Sequence, residues 1–594
     1  MKFSKFANYL QKLESTTKRL EMTSILTDLI KDLPSSEIDK ALYLASGYLK
    51  APFESQKFNI AERMMLKVLE STYTSPSHPN IKEKIARLYQ KNGDLGDVAL
   101  ALAENQKDTN MEISDVYEKL MEIAKIEGTG SQDLKTQKIS SLLKTLNGLS
   151  AKYTIRIILG LTRLGYTELT IMDALAKLIG NKELRKEIEQ RYSIHPDIGL
   201  IAKKIKEKGL GGLDDIKIET GVPVLSQKAQ RVKDSKEAIE RLGDVWAEFK
   251  FDGTRVQLHL DRSKKTKHGI TTLFGAEGPS FLLKTFTRNL EETTHMYPDL
   301  VEAAKKQIKE ESVILDGEAI GYNKETEEFL PFQEIMQRKR KYNIEAMVKE
   351  IPLKYFVFDI LYLNGKSLIE KPLKERRKIL DTVVKHGDTI IVDDHLETES
   401  SEELYEYFRE AKGRNLEGLV VKKPDDSYQA GARSYSWVKI KKADEKLLDD
   451  SVDLVILGYY FGKGIRSKFG VGGFLAGVYD DKTGTFKTIS KIGTGLKEDD
   501  WIKLKLMCDK IKIEKAPANV EMNKIFKPNV FVSPKIVVEI GADEISVSPS
   551  HTVGYALRFP RLIKFRDDKS PKDATTLSEI KQMYKKQKRG NIKV

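Results

Sequence analysis

A lysine set among carboxylates on one face of a short apolar strand is the first feature of this chain that could do chemistry. In the run Ala247-Glu248-Phe249-Lys250-Phe251-Asp252-Gly253, alternation along a strand points Glu248, Lys250 and Asp252 one way and Ala247, Phe249 and Phe251 the other. Gly253 lets the chain turn close to a ligand with no Cβ in the way, and Arg255 follows on the next strand. An amine held this way is a nucleophile when neutral. Its ordinary pKa is about 10.4, so nearby cations must disfavour the ammonium form. Taken alone, Lys-x-Asp-Gly is more often a solvated hairpin than a catalytic strand.

The same device recurs on other strands. Asp316 and Glu318 share a face of VILDGEAI. Glu417 stands immediately before the strand core Leu419, Val420, Val421, where a carboxylate is costly unless it is paired or binds a cation. In SWVKIKK, Lys439 and Lys441 share a face with Trp437, while Val438 and Ile440 face the core. Lysines and carboxylates from several strands thus point toward a common cleft. A nucleotide with its divalent metal needs both, together with an aromatic face for the base. Phe358 in YFVFDIL offers that face, although an ordinary core phenylalanine has the same pattern. Near the end of the chain, RFPRLIKFRDDKSP interleaves Arg558, Arg561, Lys564, Arg566 and Lys569 with Phe559, Pro560, Leu562, Ile563 and Phe565, which predicts a structured segment whose basic groups face an anion.

These residues need elements to hold them. From Met1 to about Thr220 apolar residues recur at helical spacing, with Ser36 placed as a cap three residues before Asp39, so residues 1–220 are predicted all-helical. Two of the helices break around Gly165 and leave Arg156 and Arg163 near the break; on pattern alone both sit on a solvated face. Past Gly221-Val222-Pro223 the period changes to two and strands alternate with amphipathic helices, which predicts an α+β domain of mixed antiparallel and α/β character over 221–442. From about Ala443, glycine-punctuated runs such as DLVILGYYFGKG and GFLAGVYDDKTG predict a small β-barrel over 443–594. The polar stretch Asp261–Ser280 is predicted to be a surface loop between two strands.

Composition bounds the partners. A chain of 594 residues is expected to hold about three domains. With 40% apolar and 32% charged residues it has enough apolar side chain for real cores, which excludes wholesale disorder. The net charge, 101 − 88 = +13, suits a polyanion. The single cysteine, Cys508, excludes a disulfide framework or a four-cysteine zinc site within the chain. No apolar run approaches the roughly 18 residues a bilayer requires, and the N-terminus lacks the apolar core of a secretory signal. A cytoplasmic protein with no membrane partner is expected.

With these motifs in view, the chain resembles the ATP-dependent DNA ligases of the archaeal and eukaryotic replicative type, over essentially its whole length. EFKFDG, TFTRNLEE, ILDGEAIG, FVFDIL, EGLVVK and SWVKIK stand in the family's order, followed by VVEIGADEISVSPSH and RFPRLIKFRDDKSP. The resemblance implies a helical DNA-binding domain, a nucleotidyltransferase (adenylation) domain and a C-terminal OB-fold. It implies that Lys250 is the residue adenylated, with Glu248 on the adenine edge and Phe358 stacked on the base. Arg255, Arg288, Arg433, Lys439 and Lys441 would line the nucleotide and its phosphates. Glu318 would serve the ribose side and the metal, and Glu417 the catalytic metal, with Mg²⁺ and ATP as cofactors. Arg566 and Lys569 would orient the pyrophosphate leaving group, and Arg156 and Arg163 would contact the backbone of nicked double-stranded DNA.

Departures from the family pattern are visible. The usual GKLRLG reads Gly160-Leu161-Thr162-Arg163-Leu164-Gly165, without its lysine, and the Asp261–Ser280 insertion is longer than the usual hairpin. Where relatives carry a glutamine-plus-aromatic peptide for a sliding clamp, this chain has Ala103-Glu104-Asn105-Gln106-Lys107-Asp108-Thr109 with no aromatic pair, so no clamp-docking motif is found. A monomer is expected. An RNA-capping guanylyltransferase or RNA ligase shares the lysine motif, but the helical first 220 residues argue against both. Intact Lys250, Glu417 and Lys439 argue against a non-enzymatic DNA-binding relative. An NAD-dependent ligase would need a four-cysteine zinc element.

Overall fold

The computed structural model describes residues 1–586 except 55, 76–79, 104–105, 108, 181–182, 266–280, 324, 326–327, 331, 336–337, 339–347, 349, 415, 442–450, 463–465 and 467–468, together with the side chains of 332–333. Most of the Asp261–Ser280 insertion, part of the Ala103–Thr109 segment and the start of the third region therefore lie outside the described residues. The chain forms two compact units, one built from residues 1–442 and the other from 443–590.

The first unit begins with twelve described α-helices between Phe3 and Lys208. Their apolar positions follow helical spacing: Phe3, Phe6, Leu10 and Leu13 of the helix Phe3–Glu14 are each at most 1% exposed and open one continuous core. Two helices, Gly148–Ile158 and Glu168–Ile179, are separated by a turn in which Gly160 and Gly165 have φ of +65° and +76°. Ser36 does not cap the helix Ile38–Ser46. That helix starts after Glu37, whose carboxylate is taken by the Met1 ammonium and by Ser114.

Arg156 corrects the expectation placed on it. The residue is 2% exposed, and its guanidinium meets Glu14 at 2.9 Å, Asp94 at 3.1 Å and Asp97 at 3.3 Å. Burial opposes its charge, but the three carboxylates outweigh that and raise its pKa further. Arg163, in the left-handed region at φ +59°, is turned the same way: Nε lies 3.1 Å from Asp94 and Nη2 donates to the Gly93 carbonyl at 3.1 Å. Arg156 holds helices together and cannot reach a phosphate; Arg163, largely covered, shares its carboxylate.

After Asp215 strands take over: β1 (Lys228–Arg231), β2 (Val245–Lys250), β3 (Thr254–Lys265), β4 (Phe281–Thr287), β5 (Ser312–Gly321), β6 (Leu353–Leu363), β7 (Lys366–Ser367), β8 (Ile390–Val392), β9 (Leu396–Thr398), β10 (Gly418–Lys422) and β11 (Arg433–Lys441). Asp261–Lys265, expected in a loop, continues β3. One sheet has the order β1-β11-β10-β2-β9, and the other runs β4-β3-β5-β6-β7 with β8 beside β6. The apolar face of the first packs on the helices Ser235–Leu242 and Ser401–Gly413. That of the second packs on Pro298–Gln307 and Leu373–Val383. The charged faces of both border one cleft.

The segment joining helices to sheets is bonded along its length. Successive outward residues of β3 each hold it: Asp261 accepts from the Thr220 hydroxyl, His259 Nδ1 from Gly221 N at 3.1 Å, and Gln257 Oε1 from Val224 N at 2.8 Å, while Arg255 Nη1 donates to Gln227 O at 2.7 Å. The alternate residues Val256, Leu258 and Leu260 are fully buried. Burial, with Lys284 and Lys264 nearby, pushes the His259 imidazole down to about 3, so it stays a neutral acceptor. Ala51 and Phe53 of the helical region pack with Phe286, Leu290, Val222 and Leu225 beside it.

The second unit is strand-rich. Val452–Tyr460 pairs antiparallel with Gly473–Asp480, which pairs with Thr485–Ile492, and Val537–Gly541 joins Val452–Tyr460 to Arg561–Phe565. Helices Glu498–Asp509 and Leu577–Lys586 cover its core through Trp501, Leu504, Cys508 and Ile580. Among the described residues no helix is long and apolar enough to cross a membrane.

Removing the Arg156 guanidinium strands three carboxylates around a buried site. Arg156→Ala should therefore lower stability in chemical denaturation by about 3–5 kcal/mol, while affinity of the folded variant for nicked duplex stays within about twofold of wild type. Unchanged stability with a large loss of affinity would restore the backbone-contact reading.

Candidate active site

The cleft is organised by the register of three strands. Gly418 of β10 pairs with Lys250 of β2 on one side and Lys441 of β11 on the other; Val420 pairs with Glu248 and Lys439. Gly418 has φ +139°, and a Cβ there would lie 2.1 Å from the Ile440 carbonyl oxygen, so only glycine lets the strands close at this point. Glu417, one residue earlier, donates its N–H to Lys250 O at 2.9 Å and sets its carboxylate between two lysines. Both Lys250 Nζ and Lys441 Nζ are 3.0 Å from its Oε2. Burial works against the charge of Glu417, but Lys250 and Lys441 outweigh it and hold the group below its ordinary range. The Lys250 amine is thus held by this ion pair.

The opposite wall comes from the second sheet. Arg255 clasps Asp316 with two bonds of 3.0 and 2.6 Å, and the Tyr428 hydroxyl donates to the same carboxylate at 2.8 Å. Glu318, across from Arg255 in the β3–β5 register, has no such clasp. Burial pushes its pKa up to about 7; Lys250 and Arg255 offset only part of this, and Glu417 and Asp316 add to it. Phe358 stands edge-to-face with Trp437, ring centroids 6.0 Å apart, with Lys422 Nζ 4.5 Å and Arg255 Cζ 5.2 Å from the Phe358 ring. Glu248, 3% exposed, is paired with Lys422 at 2.5 Å.

Of the residues singled out from the sequence, Glu248, Lys250, Arg255, Arg288, Glu318, Phe358, Arg433 and Lys439 line a single cleft of about 660 Å³. Glu417 and Lys441 join it through Lys250. The pKa of Lys439 is lowered by burial and by Lys441, Lys250, Arg433 and Arg288, a concentration of positive charge that suits a polyphosphate. Arg566 and Lys569 belong to the second unit, where both pair with Asp453, at 3.2 and 2.6 Å. Sequence reasoning missed Lys422, Asp393 and Tyr428. Lys422 could have been found from its place two residues beyond Val420, on the charged face of EGLVVKK. Asp393 carries no comparable pattern.

The description "DNA ligase N terminus" matches residues 2–176, "ATP dependent DNA ligase domain" 280–441 and "ATP dependent DNA ligase C terminal region" 467–569. A protein named "Probable DNA ligase" from Dictyoglomus turgidum (strain DSM 6724 / Z-1310) is 42% identical over 601 residues, covering 100% of this chain and 99% of its own. The chain belongs to the ATP-dependent DNA ligases. Such a ligase uses ATP, and the family seals nicks in DNA through an adenylate intermediate. Proteins named "DNA ligase" from Nitrosopumilus maritimus (strain SCM1) and Sulfolobus acidocaldarius (strain ATCC 33909 / DSM 639 / JCM 8929 / NBRC 15157 / NCIMB 11770) are 38% and 37% identical, covering 99% and 98% of this chain and 99% and 98% of their own. The solved structure Pmar-Lig_Pre. covers 95% of this chain and 99% of its own at TM-score 0.54 and 16% identity, a likeness of fold. The ligase thus has the three-part family architecture, with a helical N-terminal region and a strand-rich C-terminal one.

The raised pKa of Glu318 has a sign that can be measured in nucleotide- and metal-free ligase. The unfolded chain ionises Glu318 near 4.5 and the folded chain only near 7. Its contribution to stability is therefore fully present below about pH 4.5 and falls as pH rises to about 7, by up to about 3 kcal/mol. Glu318→Gln, which cannot ionise, should melt higher than wild type by a margin that widens from pH 5 to pH 7.5. A margin independent of pH would contradict the assignment.

Proposed function

We propose that the cleft is the adenylation centre and that Lys250 is the residue adenylated. The observation that carries this reading is the position of Lys250 Nζ, 3.0 Å from Glu417 and on the same cleft as Glu318, Arg255, Phe358 and Lys439. Phe358 offers the base a flat apolar partner and Glu248 an acceptor for the adenine edge. Glu318 faces the ribose side. Arg288, Arg433, Lys439 and Lys441 provide the cationic surface for the phosphates, where positioning and charge neutralisation supply most of the catalysis.

Among the described residues no group of three or more His, Cys, Asp or Glu side chains is placed to hold a metal ion. Glu417 and Glu318 are nonetheless the hard oxygen donors that suit Mg²⁺, an ion that keeps waters and takes further ligands from phosphate. The half-buried Glu318 carboxyl, whose pKa burial raises by more than Lys250 and Arg255 lower it, fits such a cation. Mg²⁺ held there would neutralise charge on the phosphate under attack. Lys250, released from Glu417, would attack the α-phosphorus through its amine nitrogen as the bond to pyrophosphate breaks. Residues 1–220 would act as the DNA-binding domain, 221–442 as the adenylation domain and 443–594 as an OB-fold. The substrate would be nicked duplex DNA and the protein a cytoplasmic monomer. No clamp-docking peptide supports a sliding-clamp partner.

Incubation with α-labelled ATP and Mg²⁺, followed by a chase with nicked DNA, tests the reading. Lys250→Ala should form no labelled adduct and seal no ordinary nick, yet close a pre-adenylated nick to a measurable extent. A labelled adduct on Lys250→Ala would place the nucleophile elsewhere.

Arg566 and Lys569, assigned to orientation of the leaving pyrophosphate, should matter at one stage more than the other. Arg566→Ala and Lys569→Ala should slow self-adenylation by about tenfold or more, comparable to loss of a charge-assisted hydrogen bond, and affect closure of a pre-adenylated nick far less. Equal losses in both assays would remove the stage-specific role.

A further inference from the structure

The cleft contains a buried carboxyl that the reading above does not use. Asp393 is 4% exposed and lines the same cavity as Glu248 and Phe358. Its position follows from the fold. Residues 393–395 are the bridge between β8 and β9, which belong to different sheets. On one side Val392 pairs with Val357, and Asp393 N donates to the Val357 carbonyl at 2.9 Å, one residue before Phe358. On the other side Leu396 pairs with Ala247, one residue before Glu248. Asp393 is thereby fixed between the ring that would stack on the base and the carboxylate that would read its edge.

The neighbouring charges are shared unequally. Lys422 is taken by Glu248 at 2.5 Å. Arg377 donates Nε to Asp381 at 3.2 Å, lies 3.9 Å from Glu248 and gives Nη2 to the backbone carbonyl of Asp393 rather than to its side chain. Among the described residues the Asp393 carboxyl has no ion-pair partner within 4.0 Å and no hydrogen-bond partner. Such a group, buried and without a paired cation, is most stable as the neutral acid, which can donate as well as accept. Burial, then the Glu248 charge, pushes its pKa well above the usual carboxylate range; Lys422 and Arg377 pull against this, and Asp394 adds to it.

We propose that Asp393 is a specificity-determining residue for the base: as the carboxylic acid it donates to N1 of adenine while the Glu248 carboxylate accepts from the exocyclic amine. This rests on the assignment of the cleft as the adenylation centre. Adenine presents an amine beside a bare ring nitrogen, and the two carboxyl groups, one ionised and one not, match that order. Guanine presents a carbonyl beside an N–H. It would set its carbonyl oxygen against the Glu248 carboxylate, acceptor against acceptor, while its N–H could be met by the carbonyl oxygen of the Asp393 acid, so discrimination against guanine falls on Glu248 and Asp393 reads N1 of adenine.

The test is the ratio of self-adenylation efficiencies (kcat/KM) with ATP and with 1-deaza-ATP, which replaces N1 by C–H, measured within each protein so that any loss of folded fraction cancels. 7-Deaza-ATP, altered on another edge, serves as control. Wild type should favour ATP over 1-deaza-ATP by about tenfold, the worth of one buried hydrogen bond. In Asp393→Ala the ratio should fall to near one, and Asp393→Asn, whose amide still donates, should keep it. The ratio with 7-deaza-ATP should not differ among the three proteins. An Asp393→Ala ratio equal to that of wild type would overturn the proposal, as would equal loss of preference with both analogues. If wild type formed no adduct with ATP at all, the adenylation assignment itself would fail, an outcome distinct from these.

Discussion

Everything in the cleft depends on how β2, β10 and β11 are kept in register around Gly418. A shift of one residue would send Lys250, Glu248, Lys439 and Lys441 to the helix-covered face and bring Phe249, Val438 and Ile440 into the cleft. The register is held from the buried side by Ala247, Leu419, Val421, Val438 and Ile440, each at most 2% exposed. It is held from the cleft side by the carboxylate of Glu417 between two lysines. The apolar face supplies the free energy and the charged face supplies the uniqueness, since only one alignment sets a carboxylate between those ammonium groups.

This arrangement is tense without its ligand. Arg288, Arg433, Lys439, Lys441 and Lys250 crowd their charges together, while burial raises the pKa of half-buried Glu318 and of buried Asp393. An anion bound among these cations relieves their mutual repulsion, and its binding stabilises the folded protein. Polarity assembled before the substrate arrives does not need to be reorganised as charge develops.

How much of this was legible in the sequence differs by residue. The alternation in AEFKFDG and SWVKIK placed Lys250 and Lys439 correctly because strand geometry is local. Glu417 was legible because a carboxylate at the mouth of an apolar strand demands a partner. Arg156 was not. A helical arginine on a solvated face and one gripped by Glu14, Asp94 and Asp97 have the same local pattern, and only the packing of distant helices separates them. Asp393 was hidden for a similar reason: its burial comes from the crossing of two sheets, which no local period encodes. Composition also marks a change near Thr220, but bonding does not stop there.

The side chains of Arg255, Gln257, His259 and Asp261 form a rail on which the joining segment lies, and Phe53 is wedged against Phe286 and Leu290 beside it. A twist applied to the helices is therefore not absorbed by a slack tether. It is delivered as torque along β3, the strand whose first residues, Thr254 and Arg255, line the cleft. The bonded joint thereby couples the helices to the wall of the cleft.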